Sequence, residues 1–174
     1  MMKCVGLYQP HASLAAICEK RIETRSWRVW HRGEMAIYAT KAFPKENQKF
    51  TLQPPASDIL RNHGILRDQY CDMPTGRVIA VAQLVEILPI IAPAGRMFDY
   101  DIFEAATRHM HLHGHTDWHP GEYELAFGDY RDGRYAWLLA NVRRLRQPVP
   151  ARGYQGMWKL KPDEEARVRA ELAA

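Results

Sequence analysis

The chain has 174 residues, of which 47% are apolar and 25% charged, a balance that excludes a disordered tail and suffices for a buried core. Its formal charge of +4 permits a polyanionic partner without requiring one. Cys4, Cys18 and Cys71 are far apart and form no CxxC pair, which excludes a disulfide framework and a thiolate zinc site.

In chain order, "KCVGLY" (3–8) predicts a first strand, and Pro10 opens a helix in which Leu14, Ile17 and Cys18 fall at helical spacing. "RIETRSWRVW" alternates Ile22, Thr24 and Ser26 with Glu23, Arg25 and Trp27, as a strand with two different faces does. "GEMAIYAT" (33–40) is the next strand, entered through Gly33. "PPASDILRNHGIL" reads as a helix stopped at Gly64, with Ser57 or Asp58 near its start. "GRVIAVAQLVEIL" (76–88) is the most strand-like run. "FDYDIFEAATRHMHL" places Phe98, Ile102, Ala105, Ala106 and His109 at helical spacing, starting near Asp99 and closed by Gly114. "GRYAWLLANVRRL" and "GYQGMWKL" read as the last strands, and "PDEEARVRAELAA" as a terminal helix with Asp163 as its N-cap. With no repeat, low-complexity tract or linker, the pattern predicts an α+β protein on a closed or nearly closed sheet. We expect one domain over 1–160 followed by a C-terminal helix over 161–174.

The start, "MMKCVGLYQP", lacks the apolar run of a secretory signal, and "VIAVAQLVEILPIIAPAG" is interrupted by Gln83, Glu86 and Pro89. The expectation is a cytoplasmic protein with no membrane partner.

Two stretches stand out for chemistry. From Gly133 to Lys161 there are seven basic residues, Arg134, Arg143, Arg144, Arg146, Arg152, Lys159 and Lys161, and no carboxylate. Tyr135, Trp137, Tyr154 and Trp158 are interleaved with them, which suits a surface that neutralises phosphates and stacks bases. A solvated strand face with its aromatics in the core would give the same pattern. The second stretch, "HMHLHGHTDWH", carries His109, His111, His113, His115 and His119. On a strand these would line up as metal ligands, but here they leave a helix end for a loop at Gly114. Histidines also complement the negative end of a helix. The expectation is therefore no metal and no cofactor.

The segment "QPHASLAAICEKRIETRSWRVWHRGEMAIYATK" resembles the opening of an ASCH domain, a branch of the PUA-like superfamily. The family signature, G-x-K-x-x-E-x-R, appears as "CEKRIETR": Lys20, Glu23 and Arg25 match, and Cys18 stands where glycine is usual. "ELAFGDYRDGRYAWLLANVRRL" and "VPARGYQGMWKL" are similar to the closing half of bacterial and phage members, so the resemblance spans most of 3–160. It implies a PUA-like β-barrel with flanking α-helices, a cleft beside the barrel, and 88–121 as an insertion. It also implies association with RNA and, in some branches, amidohydrolysis of acylated cytidine or RNA cleavage. The amidohydrolase branch has a lysine-activated threonine where this chain has Glu23, and a carboxylate downstream. Thr24 is one residue along and faces the other way on a strand; Glu86 and Glu104 are the candidate downstream acids.

Read as chemistry, Glu23, Arg25 and Trp27 share one strand face. Glu23 could accept from an exocyclic amine, Arg25 could fork a phosphate, and Trp27 could stack. Lys20, at the helix-to-strand junction, could act as a base with Glu23 as its partner, which makes these two the catalytic pair if the protein is an enzyme. A Glu23–Arg25 or Lys20–Glu23 ion pair at a barrel rim would do no chemistry. Gln9 is either a ligand contact or a helix cap. Thr40 and Lys41, closing "YATK", could meet a base or phosphate, and Arg152 and Gln155 lie in a loop suited to polar contacts. Trp137 is expected in the core, with Gly156 and Trp158 closing the barrel. The partner expected is RNA, a nucleotide or a modified nucleoside, with hydrolysis of a modified nucleoside or of RNA as the alternative function.

Overall fold

The computed structural model describes residues 1–67, 70–71, 73–91, 100–112, 114 and 123–173. In chain order it forms β1 (Lys3–Leu7), α1 (His11–Ala16), β2 (Ile22–Arg25), β3 (Gly33–Ala39), α2 (Lys45–Thr51), α3 (Ala56–Asn62), β4 (Leu66–Arg67) and β5 (Tyr70–Cys71). Then come β6 (Arg77–Pro89), α4 (Tyr100–Leu112), a 3-10 turn (Glu124–Phe127), β7 (Tyr135–Pro150), β8 (Met157–Lys159) and α5 (Pro162–Ala173). The class is α+β. Six strands form one mixed sheet in the order β2-β7-β6-β3-β1-β8, and β4 pairs with β5 alone.

The chain divides into two compact units, one of Met1–Glu19, Glu34–Ala82 and Val142–Ala174, the other of Lys20–Gly33 and Gln83–Asn141. Each is assembled from separated stretches, which is why no linker or shift in composition marks them. In the first unit β1 runs parallel to β3, with Val5 opposite Ile37, and antiparallel to β8, with Cys4 opposite Trp158. Its core gathers Cys4, Ala36, Val78, Val81, Leu145 and Val168. In the second unit β2 is antiparallel to β7, with Glu23 opposite Trp137. There the core is Ile22, Val85, Phe103, Met110, Leu138 and Ala140. Asn141 has φ 47°, a left-handed conformation that asparagine tolerates, at the point where β7 passes from one unit to the other.

Several elements differ from expectation. β2 ends at Arg25, short of Trp30, while β7 runs on from Leu145 to Pro150. α2 has one apolar ring and little periodicity in "KENQKFT", so nothing in its pattern predicts it. Asp163 is not the cap of α5: Pro162 holds the first helical position and Asp163 lies in the first turn. Glu164 does the capping instead, accepting from the Lys161 backbone N–H (3.0 Å) and also from that of Arg152 (3.0 Å). Phe98 and Asp99, at the predicted start of α4, lie outside the described residues, as does much of 88–121.

Cys18, where the resembled signature has glycine, sits in a backbone conformation that glycine favours. It follows the C-cap of α1 with φ 66°, and its N–H closes the helix on Ala15 O (3.1 Å). The backbone keeps the left-handed turn that glycine adopts freely. We expect Cys18→Gly to stabilise the protein by about 1 kcal/mol, measured by denaturant unfolding, because a non-glycine residue there costs roughly 1–2 kcal/mol before the entropy of glycine is counted. A loss of stability would contradict the assignment.

Candidate functional site

Each unit carries one cluster of the residues singled out by sequence, and each is described by itself. In the second unit the cluster begins with Lys20, whose side chain is only 1% exposed. Its Nζ donates to the Ile22 carbonyl and lies 3.3 Å from Glu23 Oε2. The other Glu23 oxygen is 2.9 Å from Arg25 Nε. Both ion pairs weighed as the alternative without chemistry therefore exist, joined through one carboxylate, and the lysine end is buried. The guanidinium carbon of Arg25 lies 5.8 Å from the centre of the Trp27 ring, which meets Trp137 edge-on at 4.8 Å. Although the strand stops at Arg25, Trp27 thus stays beside the Glu23–Arg25 face.

The acid near Lys20 is neither of those proposed. Glu86 is hydrogen-bonded to Arg32, and Glu104 is paired with Arg108 one turn along α4 (2.9 Å). Burial raises the pKa of Glu86, but the Ile87 N–H and Arg32 outweigh it and hold the carboxyl below its ordinary range. The acid is Glu124, buried in the 3-10 turn, whose two oxygens accept from the backbone N–H groups of Arg21 (3.0 Å) and Ile22 (2.9 Å). Burial pushes its carboxyl up, against the charge of Lys20 and these two bonds. Sequence reading missed Glu124 because no periodic pattern marks the turn, although it opens the quoted "ELAFGDY".

The loop after the turn fastens β2. Thr24 Oγ1 accepts from the Asp129 N–H (2.8 Å), and Arg134 donates to Asp129 O (3.0 Å) and Thr24 O (3.2 Å). Gly128 is required here: a Cβ would come within 2.6 Å of the Tyr130 ring and 3.0 Å of the Thr24 methyl. Burial and the charges of Glu124 and Glu23 push the Tyr130 hydroxyl pKa up. Tyr130 Oη and Trp137 Nε1 are buried with no protein hydrogen-bond partner among the described residues.

In the first unit, Tyr38, Thr40, Lys41, Arg152, Tyr154 and Gln155, together with the charged Glu164 and Arg167, line an open groove of about 920 Å³. Four of the predicted ligand contacts, Thr40, Lys41, Arg152 and Gln155, are therefore brought together from two distant stretches. Arg152 lies over the half-exposed Tyr154 ring (5.4 Å); its backbone N–H donates to Glu164, but neither its guanidinium nor the Lys41 ammonium forms an ion pair among the described residues. Gly153 lets the wall close: a Cβ there would sit 2.5 Å from the Tyr38 ring.

The remaining candidates are placed as follows. Gln9 is fully buried; its Oε1 caps α1 at the Ser13 N–H (3.0 Å) and its Nε2 donates to Pro74 O (2.8 Å). It has the capping role of the two considered. In the basic tract, Arg134 pairs with Asp129, Arg143 with Glu34 and Arg146 with Glu171, so acids from elsewhere in the chain neutralise part of it. Trp137 is fully buried, as expected. His109 and His111 lie in the last turn of α4, while His113, His115 and His119 lie outside the described residues. Among the described residues no three His, Cys, Asp or Glu side chains are grouped to hold a metal, and no helix is long and apolar enough to cross a membrane.

No protein-family model and no curated protein sequence matches the chain. It is similar to the crystal structure of ASCH from Zymomonas mobilis, at 13% identity over 97% of this chain and 94% of that one, with a TM-score of 0.49. Two point variants of that protein match with the same TM-score over 97% of this chain, one at 13% identity over 96% of its length, the other at 16% over 94%.

The Asp129 carboxyl is held at about 2, against an ordinary 3.8, mainly by its hydrogen bonds from Arg131 and despite partial burial. A depressed carboxylate stabilises the fold above its ordinary pKa and loses that contribution as pH falls through the folded value. Its surroundings are partly solvated, so the contribution is modest. We expect the difference in unfolding midpoint between the protein and its Asp129→Asn variant to shrink between about pH 4 and pH 2. A difference constant with pH would contradict the assignment.

Proposed function

We propose that this protein is a cytoplasmic RNA- or nucleotide-binding protein of the ASCH kind, with the groove of the first unit holding phosphate and base. One observation carries the reading: Thr40, Lys41, Arg152 and Gln155 line one groove in which the Arg152 guanidinium lies over the Tyr154 ring, and neither the Arg152 guanidinium nor the Lys41 ammonium forms an ion pair among the described residues, although Glu164 also lines the groove. A guanidinium and an ammonium suit phosphate oxygens, a phenol ring suits a base, and a threonine hydroxyl and an amide suit polar edges. The likeness to ASCH structures and the signature at Lys20, Glu23 and Arg25 agree with this reading without extending it to a particular base. Labelled oligoribonucleotides titrated over a range of salt test it. Affinity is expected to fall as salt rises, with a log–log slope of about −0.7 for each phosphate contact on a single strand. Lys41→Ala and Arg152→Ala should each weaken binding and make the slope shallower by about that amount. A salt-independent affinity, or slopes unchanged in both variants, would contradict it.

A second reading is hydrolysis of a modified nucleoside, such as an N4-acylated cytidine, or of RNA, with Lys20 and Glu23 handling protons. It is favoured by a lysine buried beside Glu23, together with two buried donors, Tyr130 Oη and Trp137 Nε1, that no described protein group occupies. Incubation with acylated cytidines and with RNA, followed by mass analysis, is expected to show turnover that Lys20→Ala abolishes. Absence of turnover, or turnover unaffected in a folded Lys20→Ala protein, removes this reading.

A further inference from the structure

We infer that Arg28 and Trp30 form a stacking platform for an unpaired base, so that the second unit by itself offers a contact to a single-stranded nucleic acid. This rests on the nucleotide-binding reading above. The stretch "RSWRVW" repeats an Arg-x-Trp unit twice, Arg25 to Trp27 and Arg28 to Trp30. In both units the guanidinium lies over the indole two residues on, at 5.8 Å in the first and 4.7 Å in the second. Their surroundings differ. Trp27 is packed against Trp137, whereas Trp30 is 86% exposed. An indole left in water forgoes the large burial that tryptophan ordinarily contributes.

Trp30 is not held out by a slack loop. The Arg32 guanidinium donates to the carbonyls on either side of it, Val29 O (3.3 Å) and His31 O (2.9 Å), and is itself anchored on Glu86. The exposed ring is presented by a fixed backbone, so little ordering remains to be done when a flat partner arrives. Charge decides the kind of partner. Residues 20–33 carry five cations and one acid. Lys20 and Arg25 share Glu23, and Arg32 holds Glu86, whereas Arg28 has only its indole among the described residues. A single π-face capped by an unneutralised guanidinium matches one base and a neighbouring phosphate, and is too small and too cationic for an apolar protein interface.

The test measures how affinity grows with ligand length, using a mononucleotide and labelled tetra- and octanucleotides, for the protein, Trp30→Ala, Trp30→Phe and Arg28→Ala. The ratio of tetranucleotide to mononucleotide affinity is expected to fall by about fivefold or more in Trp30→Ala, the loss of one stacked base, and to be largely kept in Trp30→Phe. Arg28→Ala should lower the same ratio and weaken its salt dependence. Ribose and deoxyribose series identify the strand; a gain with length that needs Trp30 in either series supports the inference. A ratio unchanged in Trp30→Ala overturns the platform while leaving the groove reading intact. If the protein binds neither mononucleotide nor oligomer, both readings fall. If Trp30→Ala alters only the sedimentation of the free protein, the ring is a self-association contact and the inference is overturned.

Discussion

A buried ammonium group must be neutralised where it sits, and in this chain Lys20 imposes that constraint. Taking such a charge out of water costs several kcal/mol, and removing one partner of a buried pair typically costs about 3–5 kcal/mol. Lys20 satisfies it with Glu23 and the Ile22 carbonyl, and the buried Glu124 carboxyl lies within electrostatic reach of it. Because Glu23 is held from the lysine side, its other oxygen is fixed toward Arg25, and Arg25 in turn lies against Trp27. The orientation of three surface-facing side chains thus follows from one buried charge.

The same constraint explains the work of Glu124 and the loop behind it. Glu124 takes the two backbone N–H groups at the start of β2, and Thr24 and Arg134 secure the rest of the strand to the Asp129 loop. An edge strand of four residues would otherwise be weakly held. Arg32 and Glu86 do a comparable job further along, fixing the backbone around Trp30. Around β2 the polar groups serve chiefly to hold backbone, while Arg28 and Trp30 are left exposed.

Much of this was legible in the sequence. Period-two alternation in "IETR" gave the two faces of β2 correctly, with Ile22 and Thr24 buried and Glu23 and Arg25 half-buried. Val- and Ile-rich β6 and Gly64 ending α3 were equally plain, because local pattern and tertiary environment agree there. What escaped were features set by distant contacts. Glu124 reaches a strand about a hundred residues away, and Glu164 rather than Asp163 caps α5 because it also serves the Arg152 backbone. The groove is of the same kind: "YATK" and "ARGYQG" each look ordinary, and only the fold brings Lys41 and Arg152 to one wall. Conversely, the histidine run is conspicuous in sequence; its described members, His109 and His111, lie in the last turn of α4, where His109 also acts on Glu86.

The proposed function is binding of single-stranded nucleic acid, read separately at the Arg28–Trp30 pair of the second unit and at the Lys41–Arg152 groove of the first. Photo-crosslinking an oligoribonucleotide that carries 4-thiouridine, followed by mass mapping of the adducted peptides, addresses it most directly. The account requires adducts on peptides containing Trp27, Trp30 or Tyr154, competed away by unlabelled strand. Adducts confined to other peptides, such as that of α5, or none at saturating protein, would contradict it.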